Sequence, residues 1–91
     1  MEKILVVEDE ISLQKAMVDV LALNGYEAIG AGDGEEGLQR AKSDTPDLIL
    51  LDIILPKMNG FDVLKELKAD AATKAIPVIV LTNLEGSGDI E

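Results

Sequence analysis

Three short apolar runs without polar alternation limit the folds open to this chain more than any other feature of its sequence. They cover positions 4–7, 48–51 and 78–81, and a weaker run at 26–31 lies between the first two. Runs of Val, Ile and Leu that lack alternation are typical of strands buried on both faces, as in a parallel sheet covered by helices. Stretches with helical spacing separate these runs. The order of segments therefore predicts βαβ units, in an α/β doubly wound parallel sheet of four strands.

The segments between the runs predict three helices. The first has an apolar stripe that ends before Gly25, made of Leu13, Ala16, Met17, Val20 and Leu21. The second begins at Asp33, because Glu36 follows three residues later in an Asp variant of the capping box. The third is outlined by Phe61, Leu64 and Leu67.

The composition narrows the possible chemistry and the possible partners. The 91 residues include 18 acidic and 8 basic side chains, for a net charge of −10, and neither Cys nor His. Disulfides, zinc sites of the Cys and His type, and Cys or His nucleophiles are thus excluded, which leaves carboxylates, hydroxyls and hard cations. The negative charge disfavours binding to nucleic acids and anionic lipids. The apolar runs are too short to span a membrane and no signal peptide precedes them, so we expect a cytoplasmic protein.

Carboxylates stand where two of the buried strands end. The first strand stops at Glu8, Asp9 and Glu10, and the third stops at Asp52. In an open parallel sheet, ligands bind outside the carboxyl ends of the strands. If these strands are neighbours, ~4.8 Å apart, their carboxylates converge. Like charges at ~4 Å repel by ~4 kcal/mol per pair at an effective dielectric near 20, which favours a bound divalent cation. Mg²⁺ fits a few carboxylates with water and a substrate phosphate better than Ca²⁺ does.

Each of these residues also has a structural interpretation. Glu8, Asp9 and Glu10 could stabilise the start of the first helix through capping and the helix dipole, and taken alone this interpretation is favoured. Asp52 is different, because the segment after it does not begin a helix and an unpaired charge near a buried strand is costly. Thr82 ends the fourth run, either as an ordinary strand residue or as a hydroxyl that donates to a phosphoryl oxygen beside Asp52.

Four segments of the chain together resemble the receiver domain of bacterial two-component response regulators, the CheY-like family. They cover 3–10, 46–52, 56–61 and 76–82, in the family's order and at its spacing. The resemblance implies a flavodoxin-like fold with strand order 2-1-3-4 and three helices. That order is the one already known for CheY-like proteins and is not worked out from this sequence.

The resemblance also implies a site and a set of partners. Asp52 would be the phosphoacceptor, phosphorylated by a sensor histidine kinase or a phosphotransfer protein in a phosphorelay. Mg²⁺ would be held by Glu8, Asp9, Asp52 and the backbone carbonyl of Ile54, and Thr82 would contact the phosphoryl group and act as a switch. Glu8 stands where the family more commonly has Asp, so the side chain of this ligand is longer but its carboxylate remains.

The family's pattern continues for roughly 30 residues beyond this sequence, about a quarter of a small domain. That portion carries the Lys that pairs with the phosphoryl group and the aromatic switch residue. We therefore expect a C-terminally truncated receiver domain over 1–83, with a tail or incomplete fourth helix at 84–91 and impaired phosphorylation. An open fourth strand and an uncovered first helix predict self-association, as a dimer or an element-swapped oligomer.

Three functions follow in order of preference. The first is a phosphoacceptor module that is not an enzyme beyond autocatalytic phosphotransfer on itself. The second is a receiver-like module for binding or self-assembly without phosphotransfer. The third, a metal-dependent phosphatase of the haloacid-dehalogenase type, ranks last because it needs a second Asp two residues after the nucleophile, where this chain has Ile54.

Overall fold

Alternating strands and helices build the molecule, which we describe from a computed structural model that covers residues 2–53, 55 and 58–81. The elements are β1 (Lys3–Val7), α1 (Ile11–Leu23), β2 (Glu27–Ala31), α2 (Gly34–Asp44), β3 (Leu48–Asp52), α3 (Gly60–Ala69) and β4 (Val78–Leu81). All strand pairs are parallel, in the order β2-β1-β3-β4. This confirms the predicted fold class, strand order and number of helices. The predicted domain boundary at 83 and the tail at 84–91 lie outside the described residues.

The main core lies between one face of the sheet and the helices α2 and α3. Side chains alternate between the two faces of a strand, so every second residue of β1 and β3 faces this core. Its buried members are Leu5, Val7, Ala31, Ala41, Ile49, Leu51, Leu55, Val63 and Leu67. Strand β1 is central and buried on both faces, as its unbroken apolar run predicted.

The opposite face of the sheet carries α1 and is less completely covered. Helix α1 has no fully buried residue, and a cleft of about 300 Å³ lies between its apolar stripe and Leu50. At the far edge, Ile79 of β4 is 49% exposed. The prediction that every apolar run is buried on both faces is therefore wrong for β4. Within the described part of the chain, α1 packs mainly against β2 and β1, whereas β4 forms the opposite edge of the sheet.

The stripe predicted for α3 is also partly wrong. Phe61 is 61% exposed, and the buried positions are Gly60, Val63 and Leu67. Leu64 packs against the core as a partly buried residue. Because a helix has 3.6 residues per turn, the residues on one face are separated by alternating steps of three and four. The buried face of α3 starts at Gly60, and a glycine gives no hydropathy signal.

Helix α2 begins after Asp33 as predicted, but the return bond of the capping box goes to Gly32 and not to Asp33. The Asp33 carboxylate accepts from the backbone N–H of Glu36 at 2.9 Å, and Glu36 Oε1 accepts from the N–H of Gly32 at 2.9 Å. Gly37 faces β1 so closely that a Cβ would lie 2.9 Å from Val7 Cγ2. Gly37, which weakens α2 as a helix, thus allows α2 to pack directly on the sheet.

Candidate functional site

The register of the sheet brings the ends of β1 and β3 to the same edge. Val7 is paired with Ala31 on one side and with Leu51 on the other. The backbone N–H of Glu8 donates to the Ala31 carbonyl at 3.0 Å, so pairing with β2 continues one residue past β1. Asp52 is the last residue of β3. Glu8 and Asp52 therefore lie side by side at the carboxyl ends of adjacent strands.

Three carboxylates converge at this edge. One oxygen each from Glu8, Asp9 and Asp52 lies within 4.8 Å of the other two. Glu8 is buried, with 5% of its surface exposed, whereas Asp9 is exposed and Asp52 is intermediate. The predicted convergence of these carboxylates is confirmed. Oxygen donors in this number suit a hard cation that also keeps several water ligands, which is the usual coordination of Mg²⁺.

The surroundings of Glu8 shift the pKa of its carboxyl group. Burial is the largest cause of the rise in the pKa of Glu8 from 4.5 to about 7, and the nearby Asp52 and Asp9 carboxylates contribute to the same rise. The backbone N–H of Glu10, which donates to Glu8 Oε2 at 3.0 Å, acts in the opposite direction on that pKa. A divalent cation among these oxygens would favour the ionised form of Glu8.

The helix-capping interpretation of these acidic residues fails for Glu10. Glu10 is the N-cap residue of α1, but its side chain makes no capping hydrogen bond, and the first turn of α1 has no acidic residue. The Glu8 carboxylate instead folds back onto the turn between β1 and α1. Of the acidic residues that precede α1, Glu8 and Asp9 converge with Asp52.

Gln14 belongs to the surroundings of the site and was missed by sequence reasoning. Its Nε2 donates to the backbone carbonyl of Glu8 at 2.9 Å and to that of Ala31 at 3.0 Å. A lone Gln beside an apolar stripe matches no motif, so its contact with two strand ends could be found only from the fold.

The start of α3 contacts the backbone at Ile53, directly after Asp52. The backbone N–H of Gly60 donates to the carbonyl of Ile53, and Asn59 caps α3 by accepting from the N–H of Asp62 at 3.0 Å. Two of the predicted site residues, Ile54 and Thr82, lie outside the described residues. Among the described helices, none is long and apolar enough to cross a membrane.

Comparison with known proteins identifies the class to which this fold and site belong. The family model of the response regulator receiver domain matches residues 4–91. The chain belongs to the response regulator receiver domain family. Domains of this family are phosphoacceptors in two-component signalling, and their partners are histidine kinases or phosphotransfer proteins.

Individual relatives support this assignment. A probable transcriptional regulator, ycf27 of Porphyridium aerugineum, is 40% identical over 88 residues, which are 97% of this chain and 35% of the relative. The chain thus spans about a third of the length of that curated relative.

Two solved structures are similar over nearly the whole chain. The N-terminal domain of a response regulator receiver protein from Methanoculleus marisnigri JR1 is 38% identical, with a TM-score of 0.88, over 98% of this chain and 76% of that one. The receiver domain of a sensor histidine kinase from Pseudomonas aeruginosa PAO1 is 30% identical, with a TM-score of 0.86, over 97% of this chain and 74% of that one. That domain was solved with a magnesium ion coordinated in its active site cleft.

Proposed function

We propose that this chain is a phosphoacceptor module in which Asp52 accepts a phosphoryl group in a Mg²⁺-dependent reaction. The observation that carries the proposal is the convergence of Glu8, Asp9 and Asp52 within 4.8 Å at the carboxyl edge of the sheet. In this proposal Asp9 and Asp52 bind Mg²⁺ directly and Glu8 binds it through water. The carbonyl of Ile54 and the hydroxyl of Thr82 are assigned to the site by the family pattern alone.

The transfer is a displacement at phosphorus. A carboxylate oxygen of Asp52 attacks the phosphorus of a phosphohistidine, the P–O bond forms as the P–N bond breaks, and the released electron pair stays on the imidazole, which takes up a proton. When bound, Mg²⁺ offsets the negative charge of the phosphoryl oxygens and orients them. The chain modifies itself, so we propose that it is a substrate in the relay and not an enzyme acting on other molecules.

Intact-mass measurement after incubation with acetyl phosphate tests this function. We expect the wild-type chain to gain one phosphoryl group when Mg²⁺ is present and none when the metal is chelated. Asp52→Asn keeps the shape of the side chain and removes the nucleophile, so it should gain none. Asp19→Asn removes the same charge from an exposed position of α1 and should behave as the wild type. An unchanged wild-type mass, or equal uptake by Asp52→Asn, would contradict the proposal.

The second candidate function is self-association, and the exposed apolar side chains of the α1 face favour it. Val20 is 57% exposed beside the cleft that α1 forms with Leu50, and Ile79 of β4 is exposed on the described edge of the sheet. Contiguous apolar surface of this kind is typical of interaction sites. We propose that a second copy of the chain covers this face.

Light scattering of the purified chain at micromolar concentration tests the second candidate. We expect a mass above that of the monomer, and a monomer for Val20→Lys. Phe61→Lys introduces the same charge at an exposed apolar residue of α3 and should leave the oligomer intact. A monomeric wild-type chain would defeat this candidate without affecting the phosphoacceptor proposal.

A further inference from the structure

We propose that Gln14 is a positioning residue of the metal site: its amide fixes the turn that presents Glu8 and Asp9. The inference rests on the proposed function, because it concerns the Mg²⁺ site assigned there. It goes beyond that assignment by naming a side chain that is not itself a metal ligand and that no motif marked.

The hydrogen bonds of Gln14 connect three elements at one point. Gln14 lies in the first turns of α1, and its Nε2 donates to the carbonyl of Glu8, at the end of β1, and to the carbonyl of Ala31, at the end of β2. The same Ala31 carbonyl accepts from the backbone N–H of Glu8. Both acceptors adjoin the candidate site, because one is the carbonyl of Glu8 itself and the other is the carbonyl that also accepts from the Glu8 N–H.

Gly30 supplies an independent observation from the neighbouring strand. A Cβ at position 30 would lie 2.6 Å from Gln14 Cδ and still closer to its Oε1. The Gln14 side chain thus occupies the space that any other residue at position 30 would fill. It is half-buried and confined between β2 and the turn.

This confinement matters for a metal with strict geometry. Mg²⁺ requires near-octahedral coordination at ~2.0–2.1 Å, so small rotations of the turn misplace its ligands. The restraints on that turn include the Glu8 carboxylate bonded to the Glu10 N–H and the Gln14 amide bonded to the Glu8 carbonyl. Residues that orient metal ligands in this way typically contribute 10–100-fold to metal affinity.

Calorimetric titration with Mg²⁺, at a pH above the Glu8 pKa of about 7, tests the inference. Gln14→Met keeps the length of the side chain and removes both donors, and we expect its dissociation constant to be about tenfold weaker than that of the wild type. Ser12→Met places the same side chain at an exposed position in the same turn and should bind as the wild type does. A thermal melt without metal is recorded for each variant. A lower melting temperature for Gln14→Met with an unchanged dissociation constant would show a merely structural role and overturn the inference.

Gly30→Ala approaches the same contact from β2 and serves if Gln14→Met does not fold. It should displace the Gln14 side chain and weaken Mg²⁺ binding, whereas in a Gln14→Ala background, where the space is empty, it should change the affinity little. Equal effects of Gly30→Ala in the two backgrounds would contradict the inference.

The outcomes separate this inference from the proposed function. If the wild type binds Mg²⁺ and is phosphorylated but Gln14→Met binds equally well, the inference alone fails. If Gln14→Met weakens Mg²⁺ binding but the wild type is never phosphorylated, the proposed function alone fails. A wild-type chain that binds no Mg²⁺ overturns both.

Discussion

The pKa of Glu8 shows how the position of a residue in the fold changes its chemistry. Its carboxylate is buried at the end of the central strand and lies beside the carboxylates of Asp52 and Asp9. Burial and these two neighbours raise the pKa of Glu8 to about 7. Because ligand binding to a divalent cation requires the ionised carboxylate, Mg²⁺ competes with a proton at this residue.

The first prediction is a pH dependence of stability in the absence of metal. The folded state keeps a proton on Glu8 that the unfolded state has lost, so the free energy of unfolding should fall as the pH rises from 4.5 through about 7. The corresponding stability is fully present below 4.5, and its upper bound, at 1.36 kcal/mol per unit, is about 3 kcal/mol. Urea unfolding across this range, with a chelator present, measures the effect. Glu8→Gln should lose less stability over the same range, and identical profiles for the two proteins would refute the prediction.

At the scale of elements, the start of α3 lies in direct contact with the end of β3. The backbone N–H of Gly60 donates to the Ile53 carbonyl, and a Cβ at position 60 would lie 2.5 Å from Ile53 Cα and against the Asp52 carbonyl oxygen. Backbone atoms cannot yield as a flexible side chain can. The glycine is therefore needed for this close contact.

The second prediction is that Gly60→Ala destabilises the fold although Ala is the better helix former. The gain in helix propensity is at most ~1 kcal/mol, and the steric conflict with the backbone of β3 should exceed it, for a net loss of about 1–3 kcal/mol. Urea unfolding measures this loss. The matched control is Gly32→Ala, whose Cβ would meet only Glu36 Oε1, at 3.7 Å, and should change stability by less than ~0.5 kcal/mol. A Gly60→Ala protein as stable as the wild type would count against the described contact.

The elements also show what the sequence could predict. Apolar runs and helical spacing placed the strands and helices, because burial imposes those periods on the chain. They wrongly placed Phe61 on the buried face of α3. That face begins at Gly60, and a glycine gives no hydropathy signal by which the face could be recognised. The carboxylates of Glu8, Asp9 and Asp52 were predictable because each lies at the end of a strand or directly after it. The contact between Gln14 and Gly30 was not predictable, because it joins a helix to a strand and leaves no local pattern in the sequence.

At the scale of the whole molecule, the candidate site belongs to a chain with an excess of negative charge. The chain carries a net charge of −10, and three of its carboxylates share one edge of the sheet. Any salt partly relieves this repulsion, because its ions screen the charges according to the ionic strength. A specific site for a divalent cation should stabilise the protein by more than this screening.

The third prediction is therefore that Mg²⁺ stabilises the protein more than NaCl of the same ionic strength. Binding to the folded state alone should add about 2.7 kcal/mol to the free energy of unfolding when free Mg²⁺ exceeds its dissociation constant a hundredfold. Thermal melts measure the difference between the two salts. Asp9→Asn should abolish that difference, whereas Asp19→Asn, which removes a charge from α1, should preserve it. Equal stabilisation by the two salts would indicate screening alone.

The position of the bound cation tests the central claim most directly. Mn²⁺ prefers the same oxygen ligands as Mg²⁺, and its unpaired electrons broaden the NMR signals of nearby amides. Titrated into the isotope-labelled protein, it should first broaden the amides of Glu8, Asp9 and Asp52, and leave those of the acidic first turn of α2, at Glu35 and Glu36, sharp. Broadening centred on α2, or spread evenly over the surface, would contradict the claim that the ends of β1 and β3 form one metal site.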